Sequence, residues 1–292
     1  MNAGNKRNSG NAKKARRFFR ILFARKEIVL CIAILLIMVF CAIFAPFVAP
    51  YNPYKQDLTM SLQPMSAQHI FGTDQLGRDL LSRIIYGTRV SFSVGIVAVA
   101  IAGSVGMILG LTAGVAGGFV DSIIMRVMDA MMSIPMIILA IFLGSILGKG
   151  LGNVMLAVGI SMIPGYARLM RGQALTIRES DYITAGIICG ASTLRNVITH
   201  IVPNCVSPII VLMTMNLGNA VLAEAGLSFL GLGINPPMAS WGGMVSDGNT
   251  FLNTNPVIAI VPGIFVFLIV LCFNMVGDAV RDALDPRLRG TL

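Results

Sequence analysis

Residues 90–118 carry no aspartate, glutamate, lysine or arginine. A helix through that run is about 43 Å long, against a hydrocarbon core of about 30 Å. Lipid is the solvent that suits it, and a backbone in lipid must satisfy its own N–H and C=O groups, which selects helix. Six such spans are expected: Ile28–Ala45, Val90–Gly118, Ala130–Gly148, Leu151–Ala167, Val206–Ala223 and Val257–Phe273. Composition agrees, since only 12% of residues are charged and 55% are hydrophobic, with mean hydropathy +0.80. A soluble domain carries about a quarter charged residues. The fold class is therefore an all-α membrane protein with six transmembrane helices.

The charges that remain set the orientation. Nine of the 22 Lys and Arg fall in residues 1–26. Before an apolar helix, such a tail reads as a cytoplasmic anchor rather than a nucleic-acid arm. It is too long for the basic region of a cleaved signal peptide, and Pro46 follows Ala45 where small residues would be needed. Six spans then put both termini inside. Only Lys55, Arg78, Arg83, Arg89 and Lys149 fall outside, as the positive-inside rule asks. The chain divides into a basic tail (1–27), a first span (28–45), an external segment (46–89), a five-span core (90–277) and a C-terminal tail (278–292). The core contains a cytoplasmic loop at 168–204 and an external loop at 224–255.

Several stretches carry finer expectations. In the external segment, Thr73 or Asp74 starts a short amphipathic helix with Leu76, Leu80, Leu81 and Ile84 on its apolar face. Gly103, Gly106, Gly110 and Gly114 lie along one side of the second span and allow close helix contact. Pro135 kinks the third span. The external loop is glycine-rich yet apolar, with Leu227, Phe229 and Trp241 marking it, and is expected to fold back on the bundle mouth like a scoop.

The loop between the fourth and fifth spans contains DYITAGIICGASTLRNVITHIVPN, Asp181–Asn204. Its pattern is helix, glycine break, helix. Asp181 caps the first helix, Gly190 takes the left-handed terminal position, Ser192 caps the second helix and Pro203 stops it. Two capped helices exceed what a plain connection needs. Tethering at both ends disfavours a DNA-binding helix-turn-helix. The expected object is a stiff lever on which another protein pushes.

Bond chemistry finds little support. The five cysteines show no C-x-x-C spacing, and His69 and His200 are the only histidines, so neither disulfides nor a metal centre is expected. Gly144–Gly150, GSILGKG, is one residue short of a phosphate loop and lacks its Ser or Thr. No H-E-x-x-H or G-x-S-x-G occurs. Glu224, Asp129 and Asp278 lie near span ends, where capping or pairing with Arg126 and Arg281 is the expected role. A proton-coupled secondary transporter would need such a group inside the bundle. Ser161, Asn216 and Asn219 either line a translocation path or bond neighbouring helices.

Thr184-Ala185-Gly186, Gly190 and Pro203 resemble the cytoplasmic signature of importer permeases that work with ATP-binding cassette subunits. Thr184 replaces that signature's acid, Gly186 its second alanine and His200 its isoleucine. FGTDQLGRDLLSRIIYGTRVSF, AGLSFLGLGINPPMASWGGM and GDAVRDALDPRLRG narrow the resemblance to the C-type subunit of the dipeptide/oligopeptide/nickel branch. It covers nearly everything beyond residue 25. The resemblance implies the type I importer architecture in a bacterial or archaeal plasma membrane. It also implies a role for Asp181, Tyr182, Thr184, Ala185, Gly186, Gly190 and Pro203 in contacting an ATPase. The implied partners are a homologous B-type permease, two ATPases that bind ATP and Mg, an external solute-binding protein and membrane lipid, without nucleic acid. This chain itself binds no cofactor and catalyses nothing. The implied cargo is short peptides, with nickel, metal chelates or glutathione as alternatives.

Overall fold

A computed structural model describes residues 25–284. The basic tail before Arg25, and Arg287 and Arg289 at the other end, lie outside the described residues. Among the described residues, five helices are long and apolar enough to cross a membrane, or six if one bent pair counts as a span.

The first span is α1 (Lys26–Ile43), followed by the short α2 (Ala45–Val48) with Pro46 in its first turn, where a missing N–H costs nothing. The polar segment then leads to α3 (Leu80–Ala116), which runs 37 residues without a break. The separate amphipathic helix expected before the second span does not exist. Residues 73–79 form a tight turn around Asp74, whose Oδ1 accepts from the backbone N–H groups of Leu76 (2.9 Å) and Arg78 (3.0 Å). Asp79 caps α3 by accepting from Ser82 N–H at 2.8 Å, and the buried Leu80 and Ile84 are simply its first turns.

The third span also departs from expectation. Gly118–Met132 is helix α4 and Met136–Leu147 is helix α5, and the two meet at 93°. Pro135 lacks an N–H and pushes Ile134 out of helical geometry, so a break of three residues becomes a corner where a kink was expected. The twelve residues of α5 extend about 18 Å, too short to cross alone.

Next come α6 (Leu151–Arg178), α7 (Asp181–Ile188), α8 (Thr193–Asn196), a π turn over Val197–Ile201, α9 (Val202–Phe229), α10 (Trp241–Asn249) and α11 (Val257–Leu284). Helices α3, α6 and α9 form the centre; α11 and α1 flank α3 and α9, while α5 leans on α6 and α9. Within the glycine stripe of α3, Gly106, Gly110 and Gly114 are where α6 approaches, while Gly103 faces Met213 of α9. A Cβ on Gly110 would sit 2.2 Å from the Ala167 carbonyl oxygen, and one on Gly114 would sit 2.9 Å from the Ala174 Cβ.

The external loop, expected over 224–255, begins later: residues 224–229 still belong to α9, and residues 230–255 fold back on the bundle. Trp241 is fully buried, its indole N–H donates to the Ile84 carbonyl at 3.0 Å, and Gly87 of α3 leaves room for the ring. Leu227 is buried beneath the loop in the last turns of α9, whereas Phe229 is partly exposed.

Candidate functional site

The candidate site is the elbow between α6 and α9. Ser180 occupies the cap position of α7 and Asp181 is its first helical residue. Asp181 was expected as the cap; its side chain makes no capping bond, and its carboxylate favours the positive end of the helix by charge alone. The far end of α7 is closed as the sequence suggested. Gly190 has φ +85°, its N–H donates to the Ile187 carbonyl at 2.9 Å, and Ala191 N–H donates to the Gly186 carbonyl at 2.9 Å. These two bonds make a Schellman motif, which fixes the direction in which the chain leaves α7.

Ser192 caps α8, its Oγ accepting from Arg195 N–H at 3.3 Å. Pro203, however, does not stop the second helix. The stretch runs from Thr193 through the π turn into α9 and on to Phe229. The wide turn closes with Val202 N–H donating to the Val197 carbonyl, and Pro203 follows at the head of α9, where its lack of a donor is absorbed. The elbow is therefore one free helix, one glycine bend and the foot of the fifth span.

Only Ile183 of α7 is buried, and it anchors the helix. Asp181, Thr184 and Ala185 are exposed, and Gly186 packs near Asn196, a buried residue of α8. Tyr182 is half exposed and meets His200 edge-on at 5.9 Å between ring centroids. Ile187, Leu194 and Ile198 are also exposed, and Ile188 is 81% exposed. The elbow thus presents an apolar face that nothing in this chain covers among the described residues.

The end of α6 that carries the elbow is tied to its neighbours by arginines. Arg178 donates to the carbonyls of Gly114 (3.2 Å) and Val115 (3.1 Å), the terminal acceptors of α3. Arg171 holds Asp121 of α4 through two bonds of 2.5 and 2.6 Å, and Arg168 holds Asp129 at 2.5 Å. Asp129 was expected to meet Arg126 and instead reaches across to α6. Asp278 is exposed on α11.

Glu224 is a further correction. It was expected at an interface, capping a helix or beside a cation, yet it is fully buried in α9. Its Oε1 accepts from Ser228 Oγ at 2.7 Å, while Oε2 has no partner. Of the candidate path residues, Ser161 is buried and spends its hydroxyl on the Ala157 carbonyl. Asn216 and Asn219 come together: Asn219 donates to Asn216 Oδ1 at 3.2 Å, and Asn216 donates to the Tyr166 hydroxyl at 3.1 Å. Tyr166 was missed. A tyrosine inside an apolar span needs a polar partner, and that was the available signal. His69 bonds Asp79 at 2.8 Å. Gly148 and Gly150 terminate α5 and lead into α6, which accounts for the rejected phosphate-loop pattern.

The family model described as the binding-protein-dependent transport system inner membrane component matches residues 106–290. The chain belongs to that permease family. A second model, the N-terminal transmembrane domain of oligopeptide transport permease C, matches residues 14–64 of the permease. It is 42% identical to a di/tripeptide transport system permease protein of Pseudomonas aeruginosa, over 87% of this chain and 86% of that one. Against a probable D,D-dipeptide transport system permease protein of Escherichia coli it is 44% identical, over 88% and 86%. Against a glutathione transport system permease protein of Escherichia coli it is 40% identical, over 92% and 89%. In fold the permease is similar to a chain of the MetNI methionine ABC transporter in an inward-facing conformation, with TM-score 0.59 and 16% identity. That match covers 70% of this chain and 98% of the other. The permease is a transport component of an ABC importer and not the enzyme of the system. Family membership also removes the proton-coupled secondary transporter, despite the buried Glu224.

Proposed function

We propose that the elbow docks on an ATPase partner and that the permease forms half of a translocation path for short peptides. The exposed apolar face of α7 and α8 carries this reading. Tyr182, Ile187, Ile188 and Leu194 gain nothing in water, and such a patch marks a contact surface. The Schellman closure at Gly190 makes the patch a rigid handle, and the direct run from α8 into α9 makes it one that moves a span. Asp181, Tyr182, Thr184, Ala185, Gly186, Gly190 and Pro203 are its coupling residues.

In this reading two ATPase subunits bind ATP and Mg, and this chain binds neither. A homologous B-type permease supplies the other half of the path, and an external solute-binding protein delivers the cargo. The elbow end faces the cytoplasm together with both termini. The approach of Arg25 to Asp282 (3.8 Å) supports placing the termini at one end. Asn216 and Asn219 line the path, with the buried Tyr166 holding Asn216 in place. Peptide cargo is supported by the relatives named for di/tripeptides, D,D-dipeptides and glutathione, all of them short peptide solutes.

The test is uptake of a labelled dipeptide into vesicles containing the full assembly. Uptake requiring ATP and the ATPase subunits is expected. Uptake driven by a proton gradient without them would refute the reading.

A further inference from the structure

At the end of the bundle opposite the elbow lies a cavity of about 270 Å³. Its walls come from three separated stretches: the Asp74 turn with the start of α3, the link between α5 and α6, and the end of α9 with α10. Arg78, Arg83 and Lys149 line it, with Ser228, Ser240 and Asp247. Arg78 is engaged, its Nε donating to Asp74 Oδ2 at 2.6 Å. Arg83 is only 4% exposed. Its Nη1 donates to the Pro53 carbonyl at 3.3 Å, while its Nε stands 3.4 Å from Asp74 Oδ2 and makes no hydrogen bond. A buried guanidinium with an idle donor is costly to keep.

Charge points the same way. Counting Asp74 behind the wall, three cations (Arg78, Arg83, Lys149) face two carboxylates (Asp74, Asp247). A carboxylate entering the cavity would balance them, beside the part of Arg83 that lines the wall. Lys149 and Asp247 are both exposed, so each is free to meet a solute. The volume is a little under the roughly 300 Å³ at which drug-sized sites begin, which limits the occupant to a small solute.

We propose that this cavity is a subsite for a small zwitterion, its carboxylate held by Arg83 and Lys149 and its ammonium by Asp247. The proposal rests on the short-peptide reading, since a dipeptide is such a zwitterion. It places a recognition element within the permease, at the end distant from the elbow.

The test uses the assembled permease pair and ATPases in nanodiscs, without the solute-binding protein. Binding of dialanine is measured by equilibrium dialysis against its C-terminal amide and its N-acetyl derivative. Lys149→Gln is expected to weaken dialanine about five- to tenfold and leave the amide unchanged. Asp247→Asn should weaken dialanine similarly and leave the N-acetyl derivative unchanged; a single solvent-exposed polar contact has this magnitude. Both positions are exposed, so neither variant threatens the fold. Absence of dialanine binding at millimolar concentration, or equal binding by wild type and both variants, would overturn the subsite. So would variants that bind dialanine normally but lose docking of the solute-binding protein, which would make the cavity a protein contact. ATP-dependent dialanine uptake by the complete wild-type system, measured in parallel, separates failure of the subsite from failure of the peptide reading.

Discussion

The two ends of the bundle are built differently. At the scoop end the loop is anchored within the chain: Trp241 is fully buried and bonded to Ile84, and the Asp74 turn is closed by its own hydrogen bonds, while Phe229, Leu230 and Leu252 stay exposed. At the elbow end the anchoring is slighter. One residue of α7, Ile183, is buried, and Ile187 and Ile188 stand in the open. One end is bolted to the bundle by a buried indole; the other is a helix held by a single buried side chain. Substitutions at buried scoop-end positions such as Trp241 should therefore cost stability, and substitutions on the exposed face of the elbow should cost transport.

The largest stability effect belongs to Trp241→Ala. Removing a fully buried indole should cost about 3–5 kcal/mol and lower the melting temperature of the solubilised permease. A melting temperature close to wild type would mean that the scoop is not bolted to α3. Gly110→Val comes next, because its side chain would run into the Ala167 carbonyl; about 1–3 kcal/mol is expected from overpacking between α3 and α6. Gly190→Val should cost a similar 1–3 kcal/mol, but locally, since a β-branched residue resists a φ of +85°. Nothing else stands near a Cβ at that position, so the loss is one of direction rather than packing. ATP hydrolysis should persist while uptake falls, and coupled uptake in this variant would count against the bend.

The smallest stability effect is expected for Ile188→Ser, within about 0.5 kcal/mol of wild type because the residue is exposed. Its uptake should nevertheless drop severalfold. Paired melting and uptake measurements on Trp241→Ala and Ile188→Ser sharpen the contrast, and similar profiles for the two would erase it.

Much of this was legible in the sequence, and the failures share a cause. Spans could be read because lipid imposes one rule on every residue in them. Gly190 could be read because its role depends on the neighbouring residues alone. Prolines were harder. Pro135 and Pro203 each remove one donor, but whether that breaks a helix depends on what the adjacent turns do, and only the fold decides it. One became a 93° corner, and the other was carried past by a π turn. Long-range pairing was invisible for the same reason. Asp129 had Arg126 beside it in sequence and chose Arg168, and Tyr166 met Asn216 fifty residues away. Glu224 looked like a boundary residue because nothing local reveals that Ser240, across the scoop, helps to enclose it.

That the elbow is a docking surface is tested most directly by crosslinking. A photoreactive amino acid placed at Ile188 in the assembled transporter should crosslink to an ATPase subunit, in a yield that changes with ATP. Crosslinks to lipid or to an externally bound protein alone would contradict it.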